Sequence, residues 1–268
     1  VQQRIISTLV LWTILILTPL LAGAPGAVVL LWLFGFATLR ELLQLLEKAG
    51  LRPLHAETYI GGALILFGAY LGGRTWLDLA FSLGLGFVVL SVLAIFRAPQ
   101  GRLLPALAAS LLALIAVPGS FSFAAILLAR EDVMLVVWII VVAKFTDVGA
   151  LICGLRWGRH KMCPRLSPKK TWEGLAGGLL VGALSSALFA LLFAAWLPPA
   201  MTARTALGMA VPVMAAAVLA DLFESAIKRE AGVKDSGNTI PGIGGIFDLT
   251  DSLVFALPVG FAVLQWVL

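Results

Sequence analysis

Apolar stretches about as long as a bilayer is thick recur nine times along this chain, at roughly 5–22, 25–46, 58–72, 75–96, 103–128, 133–155, 172–197, 204–228 and 246–268. About 20 such residues in a helix cross the hydrocarbon core, where every backbone N–H and C=O must find its partner within the protein. Only helices and closed barrels meet that demand. The runs are long and lack the alternation of lipid-facing strands, so the chain reads as an all-α integral membrane protein, a polytopic bundle of about nine transmembrane helices. With 61% apolar and 12% charged residues, it leaves no stretch for a soluble domain, in which about a quarter of residues are charged. The 58–72 run is short. Pro118-Gly119 interrupts 103–128, which predicts a broken helix or a re-entrant end there.

Basic residues orient such a bundle. Arg4, Arg40, Lys48, Arg52, Arg97, Arg102, Arg156, Arg159, Lys161, Arg165, Lys169, Lys170, Lys228, Arg229 and Lys234 all fall before the first run, or in the last turns of even-numbered runs and the loops after them. The opposite face carries Arg74, Arg130 and Arg204, and Lys144 lies inside the sixth run. Fifteen against three places the N-terminus in the cytoplasm and the C-terminus outside, and the parity supports nine spans. Ala22-Gly23-Ala24 resembles a signal-peptide cleavage site, but the apolar stretch before it is long for a signal and eight spans follow. The organisation expected is one membrane domain, with N-terminal spans over 1–130 and the chemistry-bearing spans and loops over 131–268. A net charge of +5 follows from this topology and from the anionic inner leaflet, so no nucleic-acid partner is implied. Cys153 and Cys163 show no metal-ligand spacing and read as free thiols, and neither His55 nor His160 has the company of a zinc site.

Charges at the edge of a membrane helix are usually functional. Asp221, Glu224, Ser225 and Lys228 are spaced i, i+3, i+4 and i+7 and so share one helical stripe. Asp248, Asp251 and Ser252 open the last run with similar spacing, and Lys144 and Asp147 lie near the end of the sixth. Glu224 and Arg229, near the water, read equally well as interfacial ion-pair residues. Asp221 and Asp248 do not, because a lone carboxylate below the headgroups costs about 2.5 kcal/mol or more. They need a cation. Mg²⁺ suits them, since it binds one or two carboxylates and fills its other positions with water and phosphate oxygens. The glycine-rich linker 236–245, with Gly242, Gly244 and Gly245, could present backbone N–H groups to a phosphate or be a flexible turn.

The loop 154–174 is strongly basic and ends in Ser167-Pro168-Lys169-Lys170-Thr171-Trp172-Glu173-Gly174. Thr171 is placed to cap the next helix, with Glu173 in its first turn, and lysines beside that N-terminus suit a polyphosphate. Gly174, Gly178 and Gly182 form a small-residue face for close helix packing, through which a homodimer is a further expectation.

Taken together, these two regions resemble the phosphatidate cytidylyltransferase (CDP-diacylglycerol synthase) family. Its signature is matched without interruption over Ser225–Asp251 by Ser225, Lys228, Arg229, Lys234, Asp235, Pro241, Gly242, Gly244, Gly245, Asp248 and Asp251. The upstream block of Lys144, Asp147, Gly149, Ala150 and residues 167–174 resembles a second shared region. Ile243 stands where the signature has His, and Leu249 where it has Arg.

The resemblance implies transfer of a cytidylyl group from CTP to phosphatidate in the lipid bilayer, with Mg²⁺, at the cytoplasmic face of the inner membrane. Asp221, Asp248 and Asp251 would hold the metal, and Lys228, Arg229 and Lys234 would meet phosphates. Lys169, Lys170 and Ser167 would hold nucleotide or pyrophosphate, with Ser225 and the loop glycines also at the substrate. Asp147 would bind a second cation or orient Lys144. Two other classes stay open: a CTP-dependent kinase of the polyprenol type, and an ion-coupled transporter, which would need its site at the membrane midplane.

Overall fold

The computed structural model describes residues 2–72, 75–98, 100–242 and 244–268, without the side chains of 2–9, 12, 16, 20 and 76. Its elements in chain order are α1 (Gln2–Lys48), α2 (His55–Gly72), α3 (Trp76–Arg97), α4 (Leu103–Leu114), α5 (Ser120–Ala129), α6 (Val133–Trp157), β1 (Lys161–Cys163), β2 (Ser167–Thr171), α7 (Trp172–Leu192), α8 (Ala203–Glu230), α9 (Phe247–Thr250) and α10 (Leu253–Leu264). Among the described residues, seven helices are long and apolar enough to cross a membrane. The molecule is therefore a multi-pass helical membrane protein.

The chain divides into two units, Val1–Val133 with Ile227–Thr250, and Met134–Ala226 with Asp251–Leu268. The return of 227–250 to the N-terminal unit has no counterpart in the sequence reading.

In the first unit, α1 is continuous except at Gly23, whose φ of 58° and ψ of −149° lie outside the helical region. This left-handed φ suits glycine, which has no Cβ to clash, and it falls in the gap expected between the first two apolar runs. Helices α2 and α3 approach closely, since a Cβ on Gly61 would lie 3.1 Å from the carbonyl of Gly86 and one on Gly86 would lie 2.9 Å from that of Gly61. Thr75 starts α3 with a capping box, its hydroxyl accepting from the N–H of Asp78 while the Asp78 carboxylate accepts from the N–H of Thr75. The interruption at Pro118 is neither a gap nor a re-entrant end. A π-helical turn, Ile115–Gly119, joins α4 to α5, and its wider ring accommodates a proline that cannot donate to the α-helical ladder. Pro118 fits because Gly62 of α2 faces it: a Cβ there would come within 2.9 Å of the ring.

In the second unit, α6 and α7 cross on glycine. A Cβ on Gly178 would lie 2.7 Å from the carbonyl of Thr146, one on Gly174 2.9 Å from that of Ala150, and one on Gly149 2.8 Å from that of Gly177. The glycine face is thus filled by α6 of the same chain. Trp138 of α6 donates its indole N–H to Ser186 of α7 at 2.9 Å, and Ser186 donates to the carbonyl of Ala206 in α8 at 2.9 Å. Three helices are pinned by one buried polar chain.

The basic loop after α6 contains an antiparallel hairpin, with Lys161 opposite Thr171 and Cys163 opposite Ser167. The sequence reading contained no strands, because two of three and five residues are too short to show a period. Thr171 ends β2 and caps α7 as expected, its hydroxyl accepting from the N–H of Gly174 at 3.1 Å.

Candidate active site

The boundary between the two units passes through α8 after Ala226 and between Thr250 and Asp251, so the expected site residues fall into two groups.

In the second unit, Asp221 and Glu224 of α8 and Asp251 beside α10 bring carboxylate oxygens within 4.8 Å of one another. Glu224 is 1% exposed, and the side chains of Asp251 and Asp221 are 13% and 29% exposed. Like charges held this close in a shielded place repel, and a cation or a proton relieves them. Two lysines flank the group. Lys144 of α6 lies 3.4 Å from Asp147 and 3.4 Å from Asp251, and donates to Ser252 at 2.6 Å. Lys170 of β2 lies 2.5 Å from Asp221. Lys169, the residue before it, is exposed. Lys169 and Lys170 were both expected to hold nucleotide or pyrophosphate, and of the two Lys170 is the one paired with Asp221. Ser167 is half-buried at the start of the same strand and Ser225 is buried in α8.

Glu173 holds the base of the hairpin, accepting from the backbone N–H of Arg159 at 3.1 Å and pairing with His160 Nδ1 at 2.5 Å. The His160 side chain is 78% exposed.

In the first unit, Asp248 at the start of α9 pairs with Lys228 at 2.8 Å and accepts from the N–H of Ser236 at 3.0 Å and of Gly245 at 2.8 Å. Ile240 and Gly244 pair with each other, exchanging N–H···O bonds of 2.8 and 3.0 Å. Gly242 lies at φ 78° and Gly244 at φ 128°, where a Cβ would come within 2.7 Å of the Asp248 carboxylate. The amides of Gly244 and Gly245 therefore donate inside the loop, to Ile240 and to Asp248, and Gly242 is exposed at its tip. Arg229 and Lys234 are exposed, the guanidinium of Arg229 donating to the carbonyl of Val233 at 3.3 Å. Ile243 lies outside the described residues, and Leu249 is half-buried within α9.

Two groups at these clusters escaped the sequence reading. Glu224 read equally well as an interfacial residue, yet it is buried beside Asp221. Glu41 of α1, 3% exposed, accepts from the hydroxyls of Ser236 at 2.7 Å and Thr239 at 2.6 Å and from the N–H of Ile246 at 2.9 Å and of Phe247 at 2.8 Å. Its signal was available: an acidic residue within a membrane-spanning run is a functional candidate by default.

All-oxygen donors in a shielded place fit a hard divalent cation such as Mg²⁺, which binds carboxylates and leaves positions for phosphate oxygens. Asp221, Glu224 and Asp251 make up such a set, and Asp248 belongs to the other unit, engaged by Lys228.

The family model described as "Cytidylyltransferase family" matches residues 2–267. Proteins named phosphatidate cytidylyltransferase are similar over part of their length: one from Thermotoga maritima is 41% identical over 120 residues, 44% of this chain and 44% of that protein. One from Pseudomonas aeruginosa is 41% identical over 132 residues, 49% of this chain and 47% of that protein. One from Haemophilus influenzae is 36% identical over 128 residues, 48% of this chain and 44% of that protein. The similar segment spans under half the length of each of these relatives.

Proposed function

Because the chain belongs to the cytidylyltransferase family, we propose that it transfers the cytidylyl group of CTP to phosphatidate, giving CDP-diacylglycerol and pyrophosphate. The observation that carries this reading is the grouping of Asp221, Glu224 and Asp251 within 4.8 Å, with Lys144 and Lys170 against it. Names of the similar proteins support the choice of nucleotide and lipid.

Phosphatidate suits such a site. A phosphate monoester has a second pKa near 6, so at neutral pH the headgroup is largely a dianionic nucleophile and needs no general base. One of its oxygens attacks the α-phosphorus of CTP, forming the new P–O bond, and the bond from that phosphorus to the bridging oxygen breaks. The electron pair leaves with pyrophosphate. Two anions must meet for this to happen, so neutralising and aligning them is the main catalytic task.

Mg²⁺ held by Asp221, Glu224 and Asp251 would supply Lewis-acid neutralisation of the phosphates. Lys170 neutralises a phosphate oxygen beside Asp221, and Lys144 keeps Asp251 and Asp147 in place, with Asp147 available to a second cation. In the first unit, Lys228 and Asp248 form the paired end of the signature loop, with Arg229 and Lys234 exposed for phosphates. In the second unit, Ser167, Ser225 and Lys169 are the further substrate-binding candidates. The bias of Lys and Arg along the sequence supports a site at the cytoplasmic side of the inner membrane, and a topology of nine spans with the N-terminus inside and the C-terminus outside.

The test is incubation of the purified full chain with CTP, phosphatidate and Mg²⁺, reading product mass. CDP-diacylglycerol with release of pyrophosphate is expected, and EDTA should abolish it. A phosphorylated lipid with release of CDP would make the protein a kinase and overturn the reading, as would the absence of any nucleotide-dependent product.

A further inference from the structure

Glu41 sits in α1 beside Leu39, Leu42 and Leu43, all fully buried. A carboxylate has about four lone-pair sites. Here four donors fill them, two hydroxyls and two backbone N–H groups, all from residues 236–247. Two loop glycines are shaped by the same side chain. The three nearest atoms that a Cβ on Gly237 would meet all belong to Glu41, the first being Oε1 at 2.8 Å. A Cβ on Gly245 would overlap Ser236 Oγ and Glu41 Oε2.

The grip extends to Asp248. The Ser236 hydroxyl that donates to Glu41 also accepts from the N–H of Asp248 at 3.3 Å, while the N–H groups of Ser236 and Gly245 donate to the Asp248 carboxylate.

We propose that Glu41 is the positioning residue of the signature loop, setting the backbone of residues 236–247 and, through Ser236 and Gly245, the place of Asp248 and its partner Lys228. As a statement about catalysis this rests on the cytidylyl-transfer reading; as a statement about the loop it does not. Glutamine at this position keeps the shape but turns one acceptor into a donor, so whichever way the amide lies, the N–H of Ile246 or of Phe247 faces another donor. A buried donor left without a partner costs enough to change an equilibrium about ten- to hundredfold.

The experiment measures hydrogen exchange over 236–247 in the full chain, together with the kcat and KM of CMP transfer to phosphatidate. Glu41→Gln should raise exchange there about tenfold or more, leave the α2–α3 peptides unchanged, and lower kcat by a similar factor with a smaller change in KM. Gly237→Ala should loosen the same segment, and Glu41→Ala should remove that penalty by opening the space, so the double variant exchanges no faster than Glu41→Ala alone. If Glu41→Gln does not fold, Thr239→Val removes a single donor from Glu41 and should still speed exchange several-fold. Wild-type exchange in these variants, or additive effects of the 41 and 237 substitutions, would overturn the proposal. A wild-type chain that makes no CDP-diacylglycerol sinks the proposed activity instead, and exchange alone then decides the role of Glu41.

Discussion

Lys170 on β2 lies 2.5 Å from the carboxylate of Asp221 on α8, while its neighbour Lys169 is exposed. A hairpin of two short strands thereby gives adjacent, chemically identical residues different work. One ammonium balances the carboxylate cluster and the other residue is exposed.

Lys170→Ala is accordingly expected to lower kcat/KM for CTP about ten- to hundredfold, the loss of one charge-assisted contact, whereas Lys169→Ala should stay within about threefold. Steady-state kinetics on the two variants side by side check this. Equal losses would mean that the pairing of Lys170 with Asp221 has no bearing on the site.

The carboxylate cluster predicts a metal requirement that can be titrated. Asp221→Asn, Glu224→Gln and Asp251→Asn should each raise the Mg²⁺ concentration for half-maximal activity about tenfold or more, and EDTA treatment followed by Mg²⁺ should restore only the wild type fully. Glu224 is the sharpest of the three, because the sequence alone did not single it out.

Lys144 faces Asp147, Asp251 and Ser252 in a shielded setting, its side chain 18% exposed. Lys144→Met leaves the two acids without this partner, and breaking such a pair from one side costs about 3 kcal/mol. A thermal melt in detergent should show the loss, and an unchanged midpoint would mean that the two acids do not depend on Lys144.

Gly178 and Gly208 offer a paired packing test. A Cβ at 178 would lie 2.7 Å from the carbonyl of Thr146, while one at 208 meets nothing within 4 Å. Gly178→Ala should destabilise by about 1–3 kcal/mol. Gly208→Ala, within α8, should be neutral or stabilise by about 0.5–1 kcal/mol. Melting both variants in the same detergent makes the comparison.

Much of the architecture was legible from local composition. The break near Gly23, the cap at Thr171, the packing role of Gly174, Gly178 and Gly182, and the polar stripe containing Asp221 and Ser225 all follow from rules acting over one or two helical turns. The hairpin and the π-turn at Pro118 were not. Both depend on neighbours, since Pro118 is accommodated beside Gly62 and β2 is held by β1 and, at its Lys170, by Asp221.

In lipid, each backbone polar group has to be satisfied close to where it stands, so the order of residues by itself determined that this chain is a bundle of apolar helices with basic loops and a signature linker. Which acids meet was decided only in three dimensions. Glu41 and Ser236 are 195 positions apart and share a hydrogen bond of 2.7 Å, and Asp221, Glu224 and Asp251 gather from α8 and the start of α10. A carboxylate's partner depends on distance in space, and periodicity along a helix carries no record of which distant segment will be folded against it.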